Sequence, residues 1–134
     1  MRTIKFRGKY IETGEWLHGN IQVPSKEDVE YFMWDCDHNQ KEVIPYTVGQ
    51  FTGLTDKNGK EIYEGDIIFS QKCDCRAVLH KVEYNIDNAM FVAKPIQGWD
   101  FDFCQIRKDW IDKYGKEVIG NVFDNPELLK GGKE

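Results

Sequence analysis

Long hydrophobic runs are absent from this sequence. No apolar stretch approaches the roughly 18 residues that a membrane-spanning helix needs. The opening segment MRTIKFRGKY lacks the apolar core of a secretory signal. Both absences argue against insertion into a membrane and against export. We therefore expect a cytoplasmic protein.

The sequence lacks the cysteine density of a small disulfide-rich domain, and its four cysteines are Cys36, Cys73, Cys75 and Cys104. In a reducing cytoplasm, free thiols or a metal site explain them better than disulfides do. Cys73 and Cys75, two positions apart, would face one side of a strand. The conceivable further zinc ligands are Cys36, His38 and His80. The spacing differs from the Cys-x-x-Cys of zinc ribbons, so we predict free thiols, no metal and no cofactor, with zinc as the open alternative.

Positive charge is also in short supply. The chain carries 18 Lys and Arg against 23 Asp and Glu, a formal charge of −5, so the whole molecule is not built to attract a polyanion. A local basic cluster near the start comprises Arg2, Lys5, Arg7 and Lys9, beside Tyr10 and Trp16 as candidate stacking partners. Charged residues that alternate along a strand more often form its solvent-facing side than a binding site. Nucleic-acid binding is therefore an alternative that we do not favour.

Familiar catalytic patterns are missing. The chain has three histidines, His18, His38 and His80, and none stands beside a recognisable nucleophile. No glycine-rich phosphate loop, dinucleotide fingerprint, calcium loop or zinc-protease spacing occurs. We predict surface histidines, no catalytic residues and no enzymatic activity.

Carboxylates offer the remaining route to chemistry. The acidic residues clustered in the middle of the chain are Asp56, Glu61, Glu64 and Asp66, and four carboxylates could hold a divalent ion for a hydrolase. Asp56 stands where a turn uses an Asx side chain, and Glu64-Gly65-Asp66 is also turn chemistry. The favoured interpretation is structural, and a metal-dependent hydrolase is the more remote alternative.

Aromatic residues are abundant, at 13% of the chain. With 134 residues and 40% hydrophobic content, the sequence predicts a single domain over residues 1–134 around one core. The four tryptophans are Trp16, Trp34, Trp99 and Trp110. They either fill the core of a monomer or are buried between copies of a homo-oligomer, and the sequence leaves both open.

Alternating patterns near the start predict a β-hairpin. Ile4, Phe6 and Tyr10 share one parity, and Lys5, Arg7 and Lys9 share the other, as in a half-buried strand. Gly14 lies in the turn, and residues 16–23 form the returning strand. After Pro24 we favour a strand over residues 29–36, a turn over 37–40 and a return at Val43 and Ile44. A helix capped by Ser25 and Asp28 is the alternative.

Turn chemistry dominates the middle of the chain. Asn58 and Gly59 are suited to the positive φ of a tight reversal. Gly65 should be hard to replace in the turn that leads into a buried strand over Ile67, Ile68 and Phe69. The pattern then predicts a hairpin in which Val82 and Tyr84 alternate with polar residues, with its reversal at 87–88 and its end at Pro95.

In the C-terminal third, the spacing of the apolar residues changes from that of a strand to that of a helix. Ile106, Trp110 and Tyr114 fall at i, i+4 and i+8, which predicts a helix with Gly115 as its C-terminal cap. A strand follows over residues 118–123, around Gly120. Asn125 as N-cap and Pro126 at the first helical position then predict a short helical turn.

Three segments together resemble a known family. Residues 51–69, FTGLTDKNGKEIYEGDIIF, are similar to the central motif of the YopX-like proteins of phages and prophages, and residues 118–129, VIGNVFDNPELL, resemble the family's C-terminal motif. IKFRGKYIETGEWLHGNI, with IPYTVGQ before the central motif, resembles the family's opening. These segments occur in the family's order and span well over half of the chain.

The resemblance implies a fold and leaves activity open. It implies a mainly β protein with an SH3-like, partly open barrel, additional hairpins and one or two short helices. The family has no established activity, and no catalytic, cofactor or metal residues carry over. Its shared positions are mostly turn formers and core residues: Gly53, Asp56, Gly59, Ile62, Tyr63, Gly65, Asp66, Gly120, Asn121 and Pro126.

These observations together predict a phage or prophage accessory protein in the cytoplasm of a bacterial host. We expect a non-catalytic module that binds an unknown host or phage protein or associates with itself. Membrane partners are not expected.

Overall fold

The computed structural model describes residues 2–22, 24–25, 30–35, 37–70, 79–96 and 104–130. The chain forms two compact units, Met1–Phe51 and Thr52–Glu134, and the single-domain assignment over residues 1–134 stays a prediction. Strands dominate the described residues, so the mainly β class is confirmed. None of the described helices has the length and apolarity of a membrane span.

The first unit opens with the predicted hairpin, but the returning strand, predicted over residues 16–23, ends at Gly19, and Ile21–Gln22 belongs to another sheet. Strands β1 (Phe6–Lys9) and β2 (Trp16–Gly19) pair antiparallel, with Lys9 opposite Trp16 and Arg7 opposite His18. The reversal between them uses Gly14, whose φ of 78° suits a residue without a Cβ atom.

A small antiparallel sheet completes the first unit. Its strands are β3 (Ile21–Gln22), β4 (Tyr31–Trp34) and β5 (Gln40–Val43), in that order. The predicted strand, turn and return are therefore confirmed over the described residues. Asp35 organises the turn, because its Oδ1 accepts hydrogen bonds from the backbone N–H groups of Asp37 and Asn39 at 2.9 and 2.8 Å. Its pKa is lowered, chiefly because the Asn39 N–H stabilises the carboxylate.

The core of the first unit lies around Met33 and Val43, both fully buried. Gly8 permits this packing, since a Cβ atom on it would lie 3.2 Å from the Cβ of Val43. A single turn of 3₁₀ helix, Pro45–Thr47, leads into strand β6 (Gly49–Thr55), whose first residues pair with β1.

Strand β1 keeps Arg7 and Lys9 on one face, but the predicted burial is wrong at two positions. Arg7, expected on the solvated face, is 7% exposed, whereas Ile4, expected inside, is 53% exposed and precedes the strand. The reason is the neighbouring strand: the Arg7 guanidinium lies 4.5 Å from the ring centre of Trp16, which covers it.

The second unit contains the remaining strands. They are β7 (Glu61–Tyr63), β8 (Asp66–Ser70), β9 (Leu79–Asn85), β10 (Met90–Pro95), β11 (Cys104–Gln105) and β12 (Lys116–Asn121). Five of them form one sheet in the order β11-β10-β9-β8-β12, with every pair antiparallel. The described sheets are not closed into a barrel.

One helix of the described residues packs on this sheet. Helix α1 spans Lys108–Tyr114 and ends at Gly115, whose φ of 60° and ψ of 48° are left-handed, as predicted for its C-terminal cap. Trp110 and Ile111 are its buried residues, and they join Ile62, Ile68, Val82, Ala93 and Val118 in the core.

The turns of the central motif partly follow the prediction. Gly59 adopts a φ of 85° and Gly65 a φ of 90°, but Asn58 does not have a positive φ. In the β9–β10 hairpin, Val82 is buried as expected, whereas Tyr84 is 44% exposed because it lies near the hairpin's tip.

The C-terminal motif is held together by hydrogen bonds among its own residues. A 3₁₀ helix spans Pro126–Lys130. Asn125 was predicted to cap this helix. Its side-chain oxygen instead accepts a hydrogen bond from the preceding strand, from the backbone N–H of Asn121 at 3.2 Å. The Asn121 side-chain oxygen accepts from the N–H groups of Phe123 and Asp124 at 3.0 and 2.9 Å.

Candidate binding surfaces

Asp56, the first candidate metal ligand, acts on the backbone. Its side chain is 5% exposed. One oxygen accepts hydrogen bonds from the N–H groups of Asn58 and Lys60 at 2.8 and 2.9 Å, and the other accepts from the N–H of Val118 at 2.8 Å. The carboxylate therefore closes the turn after β6 and attaches it to β12.

The other acidic candidates have comparable local roles. Asp66, 1% exposed, accepts a hydrogen bond from the backbone N–H of Tyr63 at 2.8 Å. Glu61 accepts one from the Tyr63 hydroxyl at 3.0 Å, and Glu64 lies in the turn between β7 and β8. Within the described residues these carboxylates form no group of three or more that could hold a metal ion.

The thiol and histidine candidates are only partly placed. Cys36, Cys73 and Cys75 lie outside the described residues, as does the side chain of Cys104. His38 lies in the β4–β5 turn with a φ of 66°, and both it and His18 are exposed. His80 is fully buried, which corrects the expectation of a surface histidine. Its ring meets Trp110 edge-on, with centroids 5.8 Å apart, and this packing explains its burial.

A buried lysine was missed by the sequence analysis. Lys116 is fully buried, its Nζ donates a hydrogen bond to Ser70 Oγ, and it lies 4.0 Å from the ring centre of Trp110 and 5.4 Å from that of Tyr114. Lysine is rarely this buried. A signal existed, because Lys116 shares its strand parity with the core residue Val118. Since Ser70 is only 2% exposed, we assign the pair to the core rather than to a binding surface.

Part of the predicted basic cluster forms one sheet face in the first unit, whereas Arg2 precedes strand β1 and Tyr10 lies against Lys41 instead. We call this sheet face the cationic face: Lys5, Arg7, Lys9, Trp16, His18 and Phe51. Opposed residues of an antiparallel pair point to the same side, which places Lys9 with Trp16 and Arg7 with His18. The Nζ of Lys9 lies 5.4 Å from the Trp16 ring centre, and the Nζ of Lys5 lies 5.1 Å from that of Phe51. Each cation therefore has an aromatic neighbour.

Apolar side chains protrude at the tip of the β9–β10 hairpin in the second unit. Ile86 is 83% exposed, the highest value among the large hydrophobic residues described. Tyr84 is paired with Phe91 across the strands, and their rings meet edge-on with centroids 5.2 Å apart. Asn85 Oδ1 accepts a hydrogen bond from the N–H of Asn88 at 2.9 Å, which stabilises the reversal. We call Tyr84, Ile86 and Phe91 the hairpin tip.

The tryptophans divide between inside and outside. Trp110 is 6% exposed and Trp34 is 44% exposed. Trp16 is half-buried and lies against Arg7 of the cationic face. Trp99 lies outside the described residues. Core packing therefore accounts for one of the described tryptophans, while Trp34 faces solvent.

Comparison with known proteins agrees with this architecture. A family model described as YopX protein matches residues 5–130. The structure is similar to the crystal structure of protein EF1440 from Enterococcus faecalis, with 26% identity and a TM-score of 0.60 over 96% of this chain and 99% of that one. None of the curated proteins matches the sequence. Because the family model covers nearly the whole chain, the chain belongs to the YopX family.

Proposed function

We propose that this chain is a phage or prophage accessory protein that acts in the bacterial cytoplasm by binding another protein, without catalysis. The architecture of the family's central motif supports the non-catalytic part. Asp56 uses both carboxylate oxygens to hold three backbone N–H groups, and Asp66 holds another. Groups engaged in this way serve the fold, so a metal-dependent hydrolase at this motif is not favoured.

The hairpin tip carries the proposal. A large aliphatic side chain that is 83% exposed at a hairpin reversal contributes nothing to its own core. Burying such a side chain in a partner would contribute roughly 1.5–3 kcal/mol. Tyr84 and Phe91 form an edge-on aromatic pair in the same hairpin, and aromatic anchors are typical of interface hot spots.

The charged residues around the hairpin tip indicate what kind of surface a partner would present. Between Glu83 and Phe91 the sequence contains two carboxylates, Glu83 and Asp87, and no lysine or arginine. Glu83 is already paired with Lys81 at 2.7 Å, so Asp87 supplies the outward negative charge. The tip therefore suits a protein with an apolar pocket and a basic residue on its rim.

The experiment compares two charge-introducing variants. Ile86→Asp removes the apolar anchor, and Ile11→Asp is the matched control at another exposed isoleucine, in the first unit. A host or phage protein retained by the immobilised wild-type chain should bind Ile86→Asp at least about tenfold more weakly and Ile11→Asp with unchanged affinity, measured by calorimetry. Equal affinity of both variants for every retained protein would refute a role for the tip. A wild-type dimer that becomes monomeric in Ile86→Asp would identify a second copy of this chain as the partner.

We also propose that the five-stranded sheet of the second unit corresponds to an SH3-like, partly open barrel. The order β11-β10-β9-β8-β12 supports this. Strands β8 to β11 form a meander, and β12 returns to pair with β8. In such an arrangement the loops between strands carry binding. The β9–β10 reversal is one of those loops.

A further inference from the structure

We propose that the cationic face of the first unit binds the sugar-phosphate backbone of a single-stranded nucleic acid, which is a second binding activity beyond the protein binding proposed above. The first observation is the composition of its strands. β1 reads FRGK, β2 reads WLHG and the start of β6 reads GQF, and none of these segments contains Asp or Glu. The chain as a whole has five more acidic than basic residues, so this local imbalance runs against its composition.

The second observation is spacing. Lys5, Arg7 and Lys9 alternate along one strand line, and residues two apart on a strand are separated by roughly 6.8 Å. Phosphates of an extended single strand repeat at a comparable distance along the chain. Lys5 and Lys9, four residues apart, are therefore spaced like phosphates two repeats apart, with Arg7 between them.

The third observation is that aromatic rings hold these cations in place. The Trp16 ring centre lies 4.5 Å from the Arg7 guanidinium and 5.4 Å from Lys9 Nζ, and the Phe51 ring centre lies 5.1 Å from Lys5 Nζ. A side chain already held by a ring loses less conformational freedom when it binds a phosphate. Phe51 is only 8% exposed, so bases have little access to its ring, and the main contact is between the lysines and phosphate.

Burial assigns different roles to the three cations. Arg7 is 7% exposed and supplies a fixed positive potential at the centre. Lys5 and Lys9 are half-buried and reach solvent on either side of it. Contacts of this kind to phosphate carry no sequence information, so binding should be sequence-independent and sensitive to salt.

The test measures fluorescence anisotropy of labelled oligothymidylate and oligouridylate over a salt series. Two phosphate contacts, through Lys5 and Lys9, predict a slope of log affinity against log salt of about −1.4. The double variant Lys5→Gln, Lys9→Gln should bring the slope close to zero and weaken low-salt binding by roughly tenfold or more. Lys5→Arg, Lys9→Arg keeps both charges and should keep the slope, which separates charge from folding damage.

The matched control is Lys60→Gln, Lys94→Gln, which removes two exposed charges from the second unit and changes the net charge equally. Unchanged binding by this control supports the cationic face. No binding to either oligonucleotide at low salt would overturn the proposal, as would equal loss in both double glutamine variants. Equal affinity for polyglutamate would replace nucleic acid with acidic protein as the ligand. Ile86→Asp should bind oligonucleotide like the wild type, so the two binding activities can fail independently.

Discussion

The carboxylate of Asp56 accepts a hydrogen bond from the backbone N–H of Val118, a residue 62 positions further along the chain, at 2.8 Å. This bond joins the family's central motif to its C-terminal motif. It is reinforced where the Lys57 N–H donates to the Lys116 carbonyl at 3.0 Å and where Lys57 pairs with Glu117 at 3.5 Å. The two motifs therefore form one structural unit of turn and strand.

Replacing Asp56 should damage this unit. Asp56→Ala leaves three N–H groups without their carboxylate, so we expect the free energy of unfolding to fall by about 3 kcal/mol in urea denaturation. Asp112→Ala, which removes an exposed helix carboxylate paired with Lys108, should cost less than about 0.5 kcal/mol. Similar losses in the two variants would contradict the role assigned to Asp56.

Gly120 should resist the addition of a methyl group. A Cβ atom there would lie 2.8 Å from Cγ of Asn125, closer than packed atoms allow. We expect Gly120→Ala to lower the free energy of unfolding by about 1–3 kcal/mol. The double variant Gly120→Ala, Asn125→Gly removes the clash, so its loss should be smaller than the sum of the two single losses. Additive losses would rule out direct contact as the cause.

Lys116 should stabilise the second unit through both its stem and its charge. Lys116→Ala removes the stem from a fully buried site and should cost about 2–4 kcal/mol. Lys116→Met keeps a long apolar chain against Trp110 and loses only the charge interactions, so it should cost less, about 2 kcal/mol. Thermal and urea denaturation measure both values. A methionine variant as unstable as the alanine variant would show that packing of the stem is unimportant.

Acid should weaken the β4–β5 turn through Asp35. The pKa of this carboxyl is lowered in the folded chain, first by the Asn39 N–H. Its stabilisation is therefore present above the ordinary value near 3.8 and is lost as the pH falls through the lower folded value. Asp35→Asn should be less stable than the wild type at neutral pH, and the difference should shrink in acid. Melting temperatures from neutral pH to strong acid would test this, and a constant difference would contradict it.

Local chemistry made several elements predictable. The helix with Gly115 at its end, the reversal at Gly59 and the hairpin ending at Pro95 depend on φ preferences and on hydrogen bonds between near neighbours. The turn role of Asp56 was likewise predictable as an Asx turn. Its third hydrogen bond, to Val118, was not, because that partner is distant in sequence.

Burial of charged groups was where sequence patterns failed. Arg7 and Lys116 each occupy positions that alternation or polarity would place in water, and both lie over aromatic rings contributed by other elements. His80 is buried for the same kind of reason, against Trp110. The shared parity of Lys116 with Val118 indicated an inward position, but periodicity within one strand does not report which aromatic ring a neighbouring strand or helix places beside it.

The sequence by itself determined the family, the mainly β character and the positions of the main turns, because these depend on residue types within a few positions of one another. Only the tertiary structure decided which cations lie over aromatic rings and which hydrophobic side chains are exposed. Those properties depend on strand pairing between distant segments, as between Lys116 and Ser70, and on how near a residue lies to the end of a hairpin, as for Ile86.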